Sequence, residues 1–450
     1  MQKMLKTKSF SYCLLYYKDM RILLILASDL TYKYKNIFTI NNGFAPLSLT
    51  TIAGSIPDKY ANEIKIIDEG MQKVNYDKLI YDVVGISCCT SSANRAYQLA
   101  EYWKKRGAYT IIGGHHATLN ADEASKYCDS VICGFGEYVF PQILEDITIG
   151  KTEKIYYAEC NQFYDYISPR RDLIKHIPYF ARNTIYATRG CVNNCKYCSV
   201  NNFTKSNYIK RPVSEIVDEI TSNNFKKFFF LDSNFTADRE YTKELLTALI
   251  PLKVSYYADV TADTYMDSEL VDLFQKSGCF EVFIGFETNN NVNLVSNNKK
   301  INNILNYKAC VETFHNKNIF ITGGFMLGMD NDTEDSLVKL PDFIEEIGVD
   351  IIRYTIFTPL PGTKIFENYK KENRILTYNY DYYDFMHTIH KPLNMDALQL
   401  QQLFKNIWTN TYSTKRVLKR ISQKNFNLDI YLANLYFKLL GQKIPDNLGY

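Results

Sequence analysis

Cys191, Cys195 and Cys198 lie within one run of eight residues, inside Thr-Arg-Gly-Cys-Val-Asn-Asn-Cys-Lys-Tyr-Cys-Ser. Thiolates this close can reach a single inorganic cluster. A structural zinc site would need a fourth Cys or His at a second knuckle, and an electron-transfer iron–sulfur centre takes four cysteines. Three ligands on one loop leave one iron of a [4Fe–4S] cube without a protein thiolate, and so open to a small molecule.

Further groups able to do chemistry stand at the ends of predicted strands. Residues 228–235 read Phe-Phe-Phe-Leu-Asp-Ser-Asn-Phe, with Asp232 and Asn234 as acceptors or as a turn cap. Glu287 ends the run Ile-Gly-Phe-Glu-Thr; a buried carboxylate without a partner is costly, which favours a ligand-binding role. Gly323 and Gly328, in Gly-Gly-Phe-Met-Leu-Gly-Met-Asp, permit close approach of a flat ring. Arg353, inside an apolar run, can pair with a carboxylate or form a structural salt bridge. Upstream, Ser87 and Thr90 sit at a strand end as hydrogen-bond donors, and Gly113-Gly114 lets a flat group lie on the backbone. His115 and His116 follow directly, and Gly134, Gly136 and Glu137 form a similar turn. Two adjacent histidines do not share one face of a strand, which favours loop packing over metal ligation. Cys88 and Cys89 read as small residues at a crowded strand end; Cys128, Cys133, Cys160, Cys279 and Cys310 read as core or surface thiols.

These residues need elements to hold them. Residues 20–150 alternate strand and helix, beginning with the apolar run 21–27, as a doubly wound parallel sheet does. Such sheets bind ligands beyond the carboxyl ends of their strands. Residues 151–180 read as a linker. A second alternation has strands predicted at 184–188, 227–231, 254–259, 281–286, 319–325 and 351–357, with the cysteine loop directly after the first. Active sites of barrels lie at that end. The turn 358–363, Thr-Pro-Leu-Pro-Gly-Thr, reads as architectural. Residues 375–450 are expected to be helical, with Tyr378, Tyr380, Tyr382, Tyr383, His387 and His390 on a barrel-packed helix or a substrate lid. The partition expected is therefore 1–19 extension, 20–150, 151–180, 181–374 and 375–450, with Met20 as a natural start of the first strand.

A chain of 450 residues, 46% apolar and 22% charged, carries a large buried core. Its net charge of +3 argues against a polyanionic partner, and no basic patch interleaved with aromatics suggests nucleic acid. Eleven irregularly placed cysteines point to a reducing cytoplasm rather than a disulfide scaffold. No run reaches the length of a transmembrane helix.

Cys-x3-Cys-x-aromatic-Cys, with Tyr197 at the aromatic position, closely resembles the motif of the radical S-adenosylmethionine (SAM) enzymes. The resemblance implies a partial (β/α)6 barrel, a [4Fe–4S] cluster on Cys191, Cys195 and Cys198, and SAM contacts from Tyr197, Asp232, Asn234, Glu287, Gly323, Gly328 and Arg353. The N-terminal half resembles the cobalamin-binding, Rossmann-like fold, which implies cofactor contacts from Ser87, Thr90, Gly113, Gly114, His115, Gly134, Gly136 and Glu137. The loop after its first strand, Ser-Asp-Leu-Thr-Tyr-Lys-Tyr, lacks the cobalt-ligating histidine often found there; many cobalamin-dependent radical SAM proteins lack it too. The family's activity would be SAM cleavage to a 5′-deoxyadenosyl radical with cobalamin-mediated methyl transfer to an unactivated carbon. Beyond the cluster ligands no catalytic residue is assigned. A small-molecule, lipid or peptide substrate and an electron donor such as flavodoxin or ferredoxin are implied. The alternatives are a cyclase or rearrangement enzyme with the same cofactors, and a non-catalytic cobalamin or iron–sulfur sensor.

Overall fold

The computed structural model of the chain describes residues 20–29, 43–158, 166–422 and 428–450. The extension 1–19, Cys160 and most of the loop expected to lack a cobalt ligand fall outside those residues.

The first sheet holds β1 (Met20–Leu26), β2 (Ala61–Asp68), β3 (Val83–Ser87), β4 (Tyr109–Gly113), β5 (Ser130–Cys133) and β6 (Ile155–Tyr157), all parallel, in the order β2-β1-β3-β4-β5-β6. In β1, Ile22 and Leu24 enter one hydrophobic cluster while Leu23 and Ile25 enter another on the opposite face. Burial on both faces is why this strand reads as an unbroken apolar run. Strand order reverses between β1 and β3, which opens a crevice at their carboxyl ends. β6 lies inside the segment expected to be a linker, so the first sheet extends past residue 150.

The second unit contains β7 (Thr184–Ile185), β8 (Thr188–Gly190), β9 (Tyr208–Lys210), β10 (Lys227–Phe230), β11 (Ser255–Val260), β12 (Cys279–Glu287), β13 (Phe320–Leu327) and β14 (Ile351–Ile356). Six of them form an open parallel sheet, β14-β13-β12-β11-β10-β7, the partial barrel expected. Its outer face is close-packed on the helices through residues such as Phe228, Tyr256, Ile284, Phe286 and Ile352.

The predicted first strand is split. Ala187 N and Thr188 N both donate to the Asp232 carboxylate, at 3.1 and 2.5 Å, which draws the chain out of the sheet. β8 then pairs antiparallel with β9 instead, and the cysteine loop leaves from this ribbon. Gly190, at φ +91°, ends β8, and a Cβ there would meet Asn207 O at 1.9 Å. Gly190→Ala is therefore expected to cost about 2 kcal/mol or more, read as a lower denaturation midpoint together with lower iron content after reconstitution.

Residues 397–450 supply helices Ala397–Thr411, Thr414–Ser422 and Leu428–Gly441. Leu400, Phe404, Trp408 and Tyr412 enter the barrel's core. The tyrosine-rich stretch before them is not the helix expected. It is an irregular strap with one short turn, Tyr380–Tyr382, whose side chains are used singly across the molecule. Tyr380 Oη donates to Glu123 at 2.7 Å, and Asn94 Nδ2 donates to Asn379 and Asp381 at 2.8 and 3.1 Å. His390 is fully buried and hydrogen-bonded to Gly328 O at 3.0 Å. Among the described residues no helix is long and apolar enough to cross a membrane.

Candidate active site

Cys195 is buried, Cys191 and Cys198 are half-buried, and all three thiols are free. Their loop is anchored from outside: Lys196 N donates to Asn297 O at 3.1 Å and Asn298 Nδ2 to Asn194 O at 2.7 Å. Asn234 Nδ2 points at Cys191 Sγ, 3.7 Å away. Asp232 is spent locally. Besides two backbone N–H groups it takes the Thr188 hydroxyl at 2.6 Å, and burial pushes its carboxyl up to about 6 against those bonds. No group of His, Cys, Asp and Glu among the described residues is drawn together around a single ion.

Glu287 closes β12 at φ +72°, where the register with β13 shifts. A non-glycine residue in the left-handed region is strained, and such strain concentrates at functional sites. Its carboxylate is 2.8 Å from Lys299 Nζ, with both side chains 14% exposed. Burial opposes the Lys299 charge, but Glu287 holds the ammonium above the ordinary lysine range. The Tyr197 hydroxyl is buried beside Glu287, while its ring packs edge-on against Phe357. Gly323 faces the helix layer, where a Cβ would meet Val349 and Phe286. Its neighbour Gly324 is the one on the concave side, under the Phe283 ring. Gly328, at φ +93°, makes the turn after β13, its N–H donating to Asp332 at 2.9 Å. Arg353 projects from edge strand β14 and is exposed.

A cavity of about 430 Å³ lies between the two units. Its walls are Leu24, Leu26, Ser87, Gly113, Gly114, His115, Gly134, Gly136 and Glu137 from the first sheet, and Thr188, Arg189, Gly190, Val200 and Phe203 from around the cysteine loop. Thr90 is not on this wall; it hydrogen-bonds the fully buried His116. Gly114, at φ +96°, has Cys88 O 2.7 Å from where a Cβ would be, so backbone approach alone requires glycine. His115 stacks on Phe203 at 4.7 Å and bonds Ser199 Oγ at 3.0 Å, which occupies its Nε2.

Lys299, Arg189 and Gly285 escaped the sequence reading. Arg189 Nη2 is 2.5 Å from Glu137 Oε1, and its guanidinium lies between the rings of Phe135 and Tyr186 at 4.2 and 3.9 Å. Its Nη1 is buried with no acceptor. Adjacency to Gly190-Cys191 was a signal for Arg189; Lys299, in an Asn-Asn-Lys-Lys turn, offered none. The residues present fit both groups implied by the sequence. Three free thiols on one loop suit the cluster. An apolar cavity at the strand-order reversal, with one unsatisfied guanidinium N–H and the His115 Nε2 engaged by Ser199 on its wall, suits a corrinoid.

The model of the radical SAM superfamily matches residues 185–344, and that of the B12 binding domain matches residues 45–144. The chain is 30% identical over 414 residues to bacteriochlorophyllide d C-12(1)-methyltransferase of Chlorobaculum tepidum, covering 90% of each chain. It is 25% identical over 403 residues to the bacteriochlorophyllide d C-8(2)-methyltransferase of the same organism, covering 84% of this chain and 88% of the relative. The fold is shared with a radical SAM methyltransferase of Kitasatospora setae, solved with cobalamin and a [4Fe–4S] cluster bound. That match has a TM-score of 0.63 at 14% identity and covers 79% of this chain and 75% of the other. A cofactor sensor and a cyclase are not what these likenesses favour. The chain belongs to the cobalamin-dependent radical SAM methyltransferases, enzymes that work with a [4Fe–4S] cluster, SAM and cobalamin.

Proposed function

We propose that this protein methylates an unactivated carbon of a small, largely apolar organic molecule, with Cys191, Cys195 and Cys198 holding the cluster. One observation carries the two-site reading: Arg189 and Gly190, leading into the cysteine loop, and Val200 and Phe203, leaving it, line the same cavity as Ser87 and Gly114. When bound, the cluster and SAM supply hydrogen abstraction, and cobalamin supplies the methyl group.

The protein's own part is positioning. Asn234, Tyr197 and the Glu287–Lys299 pair frame SAM, with Gly328 shaping the turn nearby. Asp232 fixes the entry to the cysteine loop, and Gly323 serves packing. Ser87, Gly113, Gly114, Gly134, Gly136 and Glu137 seat cobalamin; His115 wedges against the loop, and Thr90 holds His116. The Arg189–Glu137 pair ties the cavity wall to the strand before Cys191, which keeps the two cofactor sites at one separation. The apolar walls exclude water from the reacting groups.

For the working parts we infer 20–158 and 181–374, joined by the strap and helices of 375–450. Nine described cysteines, all free, suit a reducing cytoplasm, where flavodoxin or ferredoxin is the electron donor. Because two relatives methylate bacteriochlorophyllide d, a flat ring system of that general kind is the favoured acceptor over a peptide.

Anaerobic reconstitution with iron, sulfide and hydroxocobalamin tests the reading. The expected result is about four irons and one corrinoid per chain, and turnover that yields S-adenosylhomocysteine together with 5′-deoxyadenosine. 5′-Deoxyadenosine with no S-adenosylhomocysteine, in the presence of a consumed substrate, would remove methyl transfer.

A further inference from the structure

The concave face of the partial barrel is a hollow lined by residues other than those named for the cavity between the units. Along β12, Glu281, Phe283, Gly285 and Glu287 are accessible, while the alternating Val282, Ile284 and Phe286 are fully buried. Strand alternation therefore puts one face of β12 on the core and opens the other to a guest. Gly324 leaves room for the Phe283 ring, since a Cβ there would be 2.7 Å from its Cζ. Arg353 stands next in register to Gly324 on the open edge strand β14, its guanidinium 6.0 Å from the Phe283 centroid. Among the described residues the Arg353 side chain makes no hydrogen bond and no ion pair within 4 Å.

Two carboxyl groups share this face with Arg353. Glu281 takes the Thr322 hydroxyl at 2.6 Å. Burial raises Glu281 and pushes Asp259 up to about 7. Neither closes on the guanidinium. An arginine left with a free fork beside an aromatic platform is suited to a planar, two-oxygen anion. At the cluster end of the hollow, by contrast, the cation Lys299 is already paired with Glu287.

We propose that this hollow takes the methyl acceptor as a carboxylate-bearing, flat and largely apolar molecule, its carboxylate forked by Arg353 and its body resting on Phe283. The assignment rests on the methyltransferase reading above and separates Arg353 from SAM. It names the group that sets which molecule enters and leaves the cofactor sites as described.

Titration of the reconstituted holoenzyme with protoporphyrin IX, a planar apolar dicarboxylate, and with its dimethyl ester, tests it. The free acid is expected to bind more tightly than the ester, and Arg353→Met to weaken the acid about tenfold or more while leaving the ester unchanged. Arg353→Lys, which keeps charge but loses the fork, should fall between. Phe283→Leu should weaken both probes. Unchanged iron and corrinoid content and an unchanged melting temperature show that the variants are folded. Equal binding of acid and ester, or no effect of Arg353→Met on the acid, overturns the proposal. So does a rise in the SAM dissociation constant of Arg353→Met without loss of acid binding, which would return Arg353 to SAM. Loss of S-adenosylhomocysteine formation with the acid-selective binding intact would instead defeat the methyl-transfer reading alone.

Discussion

Cys195→Ala is expected to strip the iron from this protein and leave its corrinoid in place. Cys195 is the most buried of the triad. A cluster held by three thiolates does not survive on two, so SAM cleavage should fall to background, a loss of about 10⁶-fold or more. The cavity between the units takes most of its wall from residues 24–140 of the first unit, which the substitution does not touch. Iron analysis and the visible spectrum after reconstitution read the two outcomes separately. Retained iron would remove Cys195 from the ligand set, and joint loss of both cofactors would mean that the two sites assemble as one.

The second large effect concerns Glu287 and Lys299. Each is buried against the other, so removing one partner strands a charge. Glu287→Gln or Lys299→Met is expected to cost about 3 kcal/mol, whereas the double variant should recover most of that loss, because a buried pair replaced as a unit is close to neutral. Function should not recover with stability. If the strained Glu287 and its partner frame SAM, both single variants and the double variant bind SAM far more weakly. Denaturant unfolding and SAM titration on the same samples decide it. A double variant that regains SAM binding along with stability would make the pair structural only. So would a Glu287→Gly variant that relieves the left-handed backbone and keeps full SAM affinity.

Much of the proposed site was legible from local spacing. The triad, Tyr197, Asn234 and Glu287 stood out because each lies in a short run at a strand end, where neighbours in the chain are neighbours in space. Alternation of strand and helix likewise revealed both parallel sheets, since a strand buried on two faces must be apolar throughout. The misreadings share one cause. Asp232, read as an acceptor or a turn cap, clamps Ala187 and Thr188, 45 and 44 positions away. Gly323 and Gly324 are indistinguishable as letters, and only register decides which of them faces the hollow. The tyrosine-rich stretch has no helical period because its side chains are spent on partners as distant as Glu123.

The sequence by itself determined the chemistry that starts the reaction and the class of fold that holds it, because cluster ligation and secondary structure depend on residues a few positions apart. Only the tertiary structure decided how the two halves meet. Glu137 and Arg189 are 52 residues apart and share one ion pair; Lys299 comes to Glu287 from beyond a helix; Arg353 on the edge strand comes to face Phe283. Contacts of this kind are set by strand order and packing, and a linear pattern carries no signature of which distant residue will complete a buried charge.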